Sequence, residues 1–199
     1  MTNSGEGTLF IVTGPSGAGK GTVLGRVLPD LGRVYYSISA TTRGIRPGEI
    51  DGKSYHFITH QQFREMIERD ELLEYAEYVG NFYGTPAGPV QERLCAGDDV
   101  ILEIEVQGAL MVKQKRPDAV LVFIIPPEFS LLEQRLRGRG SESDEVIARR
   151  LEKARQEYRS GDKYDYIVVN DELDTAVDEL KSIITAQRCR AQKRIHLLR

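Results

Sequence analysis

Apolar residues in this chain fall into short continuous runs separated by stretches of helical spacing. The first run, Leu9-Phe10-Ile11-Val12, is followed by glycines at 14, 17, 19 and 21. Val23, Leu24, Val27 and Leu28 then recur as on one helix face, up to Pro29. The pattern predicts a buried strand, a glycine loop and an amphipathic helix. Further strands are predicted over 34–38, 100–106, 120–125 and 166–169. Helices are predicted near 89–96, over 130–137 and 144–158, and from 173 to 184, where Val177, Leu180, Ile183 and Ile184 share a face. Apolar strands that alternate with helices of a dozen residues specify an α/β fold, a parallel sheet covered on both faces.

Residues 39–88 break that rhythm. Residues 40–52 predict an irregular loop with Pro47, Gly48 and Gly52; 55–58 a short strand; 61–69 a helix with Phe63, Met66 and Ile67 on one side; and 72–79 and 81–83 two strands about Gly80. This stretch is predicted to be a lobe inserted into the core.

The chain has 199 residues, 40% hydrophobic and 29% charged, which suits one compact domain with small insertions. The formal net charge of -3 gives no bulk attraction to nucleic acid or to an anionic membrane. No apolar run is long enough to span a bilayer and no signal peptide is recognisable at the N-terminus, so the expected location is the cytoplasm. Cys95 and Cys189 match no metal-ligand spacing and are expected to be reduced thiols.

The stretch Gly14-Pro15-Ser16-Gly17-Ala18-Gly19-Lys20 fits seven of the eight positions of a phosphate-binding loop, and it lies between a predicted strand and a helix, as such a loop must. Glycines let backbone N–H groups turn toward a phosphate, the following helix aims its N-terminus at the same anion, and Lys20 supplies a cation for the β- and γ-phosphates. The eighth position departs from the pattern. Gly21 has no hydroxyl to offer Mg²⁺, and Thr22 follows it. ATP-linked phosphoryl transfer is the chemistry such a loop serves.

Glu103 and Glu105 are predicted to share one face of the strand over 100–106, where an acid close to a phosphate loop positions Mg²⁺ or its waters. A solvated edge strand is the alternative. Arg43 and Arg46 lie in the loop after Thr42. Arg135 and Arg139 are four apart and share a face if the helix continues, and Arg149 and Arg150 fall in the next helix. Guanidinium forks match phosphate oxygens, and two arginine groups suit an acceptor phosphate and a donor triphosphate.

Taken together, these separated motifs resemble the guanylate kinase family, enzymes that convert GMP and ATP to GDP and ADP. The resemblance rests on the phosphate loop, Ser37-Ile-Ser-Ala-Thr-Thr-Arg43, Arg46-Pro-Gly-Glu49, Asp51-Gly-Lys-Ser-Tyr55, Tyr83-Gly-Thr85, Glu103-Ile-Glu-Val-Gln-Gly108, Arg135-Leu-Arg-Gly-Arg-Gly140 and Val169-Asn-Asp171. It implies a phosphate-loop core (1–38, 89–136 and 151–199), a GMP-binding lobe (39–88) and a helical lid (137–150). It also implies ATP with Mg²⁺ as co-substrate and a place in purine nucleotide metabolism. By resemblance, Arg43, Arg46, Tyr55 and Tyr83 hold the GMP phosphate, and Ser39, Glu74, Thr85 and Glu105 surround guanine. Residues 14–22 and Asn170 bind ATP, and Glu103 and Thr22 lie near Mg²⁺. Lys20, Arg43, Arg135, Arg139 and Arg150 carry the catalytic charge. Glu74 has a chemical rationale of its own: a carboxylate accepts from guanine N1–H and its exocyclic amine together, whereas adenine N1 would face it with a lone pair. Another small-molecule kinase on the same core and a non-catalytic binding module are the rival readings. Oligomeric state and preference between GMP and dGMP are not encoded legibly.

Overall fold

A computed structural model of the protein describes residues 5–138 and 143–198. Strand β1 (Leu9–Thr13) is buried at every position, and α1 (Lys20–Val27) turns Val23, Leu24 and Val27 inward beside it. β2 (Val34–Tyr36) leads into the inserted lobe: β3 (Ala40–Thr41), β4 (His56–Phe57), α2 (His60–Glu68), β5 (Leu72–Tyr78) and β6 (Asn81–Pro86). The core resumes with α3 (Ala87–Cys95), β7 (Asp99–Glu103), α4 (Val106–Lys115), β8 (Val120–Ile125) and α5 (Phe129–Arg137). It ends with α6 (Asp144–Tyr158), β9 (Tyr166–Val169), α7 (Leu173–Arg188) and a short α8 (Ala191–Arg194).

The core sheet is parallel throughout, in the order β2-β7-β1-β8-β9. Alternation along β1 divides the core. Phe10 and Val12 pack with α1 and α7, while Leu9 and Ile11 pack with α3 and α4. The successive strands β7 and β8 lie on opposite sides of β1, so the chain switches direction across it and a crevice opens at its carboxyl end, where open α/β sheets bind ligands.

The lobe carries a separate sheet, β4-β3-β6-β5, with its own small core of Ala40, Phe63 and Leu72. Thr59 and Gln62 form a reciprocal capping box that fixes the start of α2. α5 and α6 pack on one another through Leu132, Leu136, Ile147 and Leu151.

Three local expectations are corrected. The strand predicted over 34–38 stops at Tyr36. The irregular stretch 40–52 begins with the β3 pairing of Ala40 and Thr41. The strand predicted through Val106 ends at Glu103, and Val106 instead opens α4. The inward positions of α4 include Gly108 and Ala109, which carry little hydrophobic signal, so its face is legible only against its neighbours. No helix among the described residues is long and apolar enough to cross a membrane. Cys95 and Cys189 are free and exposed.

Candidate active site

The loop between β1 and α1 is built from steric necessity. A Cβ at Gly14 would lie 2.1 Å from the carbonyl oxygen of Ile124. One at Gly19, where φ is 89°, would lie 2.3 Å from Asn170 Nδ2. Asn170 follows β9 and is buried. Its side-chain amide donates to the Ala18 carbonyl at 2.8 Å and its backbone N–H to Ile125 at 2.7 Å. The end of β9 therefore pins the phosphate loop.

Lys20 arches back over that loop, and its Nζ donates to the carbonyls of Gly14 at 2.6 Å and Pro15 at 3.3 Å. Burial pulls its pKa below the ordinary lysine value, opposed by the nearby carboxylates Glu103, Glu157 and Glu105. A desolvated ammonium held by two carbonyls is poised to exchange them for phosphate oxygens.

The loop opens on a cleft of about 480 Å³. Gly14, Ser16, Lys20, Glu103 and Glu105 line it from the core, Ser39, Ser54, Tyr55 and Tyr78 from the lobe side, and Arg150, Lys153 and Glu157 from α6. Glu103 and Glu105 do not share a strand as expected, because β7 ends between them. Glu105 occupies the N-cap position of α4 with φ -78° and ψ 158°, an extended conformation that keeps it on the cleft wall beside Glu103. The Tyr36 hydroxyl donates to Glu103 Oε2 at 2.9 Å, and burial, reinforced by that carboxylate, pushes the phenol far above its ordinary pKa, so Tyr36 stays a donor. Glu105 Oε2 accepts from Lys153 Nζ.

A second group of charged and aromatic residues lies in the lobe. Arg43 makes a two-pronged pair with Glu49, at 2.7 and 3.0 Å, and lies over the rings of Tyr55 at 5.5 Å and Phe57 at 5.7 Å. Tyr83 bonds to Arg43 and meets Tyr55 edge-on at 6.1 Å. The backbone N–H of Arg46 donates to Glu49 at 2.8 Å, while the residue itself is exposed. Glu74 is buried deeper. The Thr85 hydroxyl donates to its Oε1 at 2.7 Å, and its Oε2 would lie 2.6 Å from a Cβ placed on Gly108, so a side chain there would push the carboxylate aside. Burial raises the Glu74 carboxyl above the usual carboxylate range, more than Thr85 lowers it.

Arg150 reaches Ser16 of the loop, with Nη1 at 3.1 Å from Oγ. Arg135 donates to the Asn170 carbonyl at 3.3 Å. α5 stops at Arg137, short of the continuation that a face shared by Arg135 and Arg139 required. Arg139 lies outside the described residues. Gly21 and Thr22 are exposed on α1 and are not part of the cleft wall. Tyr36, Lys153 and Glu157 line the cleft without having been expected from sequence. Lys153 and Glu157 follow Arg150 by three and seven residues, a helical-face spacing that could have flagged them.

A sequence model described as guanylate kinase matches residues 6–187. The chain belongs to the guanylate kinase family. It is 52% identical over 189 residues to a guanylate kinase of Desulfitobacterium hafniense, covering 95% of this chain and 94% of that one. A guanylate kinase of Lactococcus lactis is 53% identical over 188 residues, covering 94% and 92%. The crystal structure of a guanylate kinase from Anaplasma phagocytophilum superposes with a TM-score of 0.78 at 29% identity, over 95% of this chain and 90% of that one. These likenesses span core and lobe together, so the kinase architecture extends over nearly the whole chain.

Proposed function

We propose that this cleft is where the enzyme transfers the γ-phosphoryl group of ATP to GMP, giving ADP and GDP. The observation that carries the reading is a single cleft walled by Lys20 of the phosphate loop and by Ser39 and Tyr55 on the lobe side, with Glu103 and Glu105 between them. The triphosphate lies along the loop, under Lys20 and Arg150. The acceptor phosphate takes Arg43, Arg46, Tyr55 and Tyr83, which requires Arg43 to share itself between Glu49 and the substrate. Glu74 accepts from guanine N1–H and its amine, with Thr85 holding the carboxylate in place. The phosphate oxygen of GMP is already ionised near neutral pH and attacks without a general base. The protein's contribution is alignment and charge stabilisation. The lobe of residues 39–88 and the lid of residues 137–150 close over the substrates and exclude water.

Mg²⁺ fits this site in the manner usual for the ion, which binds through one or two carboxylates together with substrate phosphates and waters. Among the described residues no group of three or more metal-ligating side chains forms a cage. Glu103, fixed by Tyr36, is the acid placed to hold it, and the ion would neutralise charge on the β- and γ-phosphates. Thr22, in the first turn of α1, is the second residue in this reading to lie near the ion.

A coupled assay with GMP, AMP, UMP and dTMP tests the acceptor. GMP should be preferred by orders of magnitude, and faster turnover of AMP than of GMP would overturn the assignment. Lys20→Ala should lower turnover by roughly 10³-fold with an unchanged circular dichroism spectrum.

A further inference from the structure

Lys153 has no role in the reading above, yet it lines the cleft. It lies on α6, three residues after Arg150 and four before Glu157. Its Nζ donates to Glu105 Oε2, at the N-terminal end of α4, and sits 5.9 Å above the ring of Tyr78, at the end of β5. One side chain thereby joins three walls of the cleft: α6, the core and the lobe.

We propose that Lys153 is a positioning residue for the acceptor base: by holding Glu105 Oε2 it aims Oε1 at the exocyclic amine of guanine. The inference rests on GMP being the acceptor. A carboxylate has two oxygens, each able to accept, so engagement of one by a lysine leaves the other for the base. Guanine's amine carries two N–H bonds, one for Glu74 and one for Glu105. Glu105 needs such a tether. Its side chain is 74% exposed and would otherwise sample many rotamers at the cleft mouth. Ion pairs this exposed add little to folding stability, so the effect of Lys153 belongs in binding and not in the thermal midpoint.

Electrostatics points the same way. Among the described residues three carboxylates line the cleft, Glu103, Glu105 and Glu157. Burial raises the Glu157 carboxyl, Lys153 pulls it back, and Glu105 pushes it further up. Lys153 therefore stands between two acids that repel each other. Without it, Glu105 is driven away from Glu157 and off its aim.

Steady-state kinetics of Lys153→Met and Lys153→Arg with GMP, IMP and ATP tests this. IMP has the N1–H of guanine and lacks the amine. Lys153→Met should raise the KM for GMP about 3- to 10-fold while kcat stays within about twofold. The KM for IMP, or its Ki against GMP where turnover is slow, should not move, and Lys153→Arg should restore GMP. Adding Lys153→Met to Glu105→Gln should cause no further loss. An equal rise for GMP and IMP, a rise confined to ATP, or no change with any substrate overturns the role of Lys153. Wild-type enzyme that fails to use GMP at all refutes the acceptor assignment, a different result from an active wild type with an indifferent variant.

Discussion

Glu74 lies 6% exposed between β5, β6 and α4, and Thr85 answers its charge through its hydroxyl and its backbone. Burial outweighs those donors and raises the carboxyl above its ordinary value. A raised carboxyl means that folding favours the protonated form. The stability this gives is full below the ordinary carboxylate range and is lost as pH rises through the folded-state value. The proposed recognition of guanine needs the ionised form, so the two demands conflict. Glu74→Gln should leave the thermal midpoint unchanged near pH 4 and raise it near pH 8. The same variant should increase the KM for GMP by roughly 10²-fold, since the amide presents a donor to guanine's donors. In the wild type the KM for GMP should climb as pH falls toward the raised value, and in the variant it should be flat there. A thermal midpoint that drops at pH 8 would contradict the account. At this scale the sequence singled out Lys20 and the glycines by motif spacing. It named Glu74 only through resemblance, because an acid in an alternating strand carries no mark of its burial.

β5 and β6 show an element whose turn works against its sequence. Tyr78 pairs with Asn81, leaving Val79 and Gly80 as a two-residue turn with φ of 50° and 71°. Positive φ at both positions is the turn that matches strand twist, and it suits Asn-Gly far better than Val-Gly, since a β-branched side chain is strained there. Val79 is 79% exposed, so little packing offsets the strain. Val79→Asn should stabilise the protein by about 0.5–1 kcal/mol, a rise of about 1–4 °C in Tm, with kcat unaltered. A lower Tm in a melting experiment would count against strain at this turn. Elements were legible in proportion to their periodicity. α6 matches the expected 144–158, and β8 and β9 match their apolar runs. α4 was not legible, because two of its four buried positions are Gly108 and Ala109, and Gly108 lies against Glu74.

On the scale of the whole molecule, the cleft belongs to no single unit. The lobe has its own sheet and core, α5 and α6 have another, and the phosphate loop lies on the parallel sheet. Three separately packed bodies around one cleft can move as units, at the cost of the contacts between them. Small-angle scattering should show a smaller radius of gyration with GMP and a non-hydrolysable ATP analogue together than with either alone. No contraction in the ternary mixture would exclude closure of the lobe and lid. Lys153 would tighten with that motion, as its partners are drawn out of water.

The sequence by itself determined the parallel core, the phosphate loop and the inserted lobe, because each rests on local rules: apolar period, glycine placement and a break in rhythm. Tertiary structure alone decided what surrounds each charge. Asn170 pins the loop from 152 residues away, Glu49 holds Arg43, Tyr36 holds Glu103, and Lys153 spans to Glu105. Those pairings depend on distances between elements and on which groups are buried, and neither is written in the spacing of residues along one strand or helix.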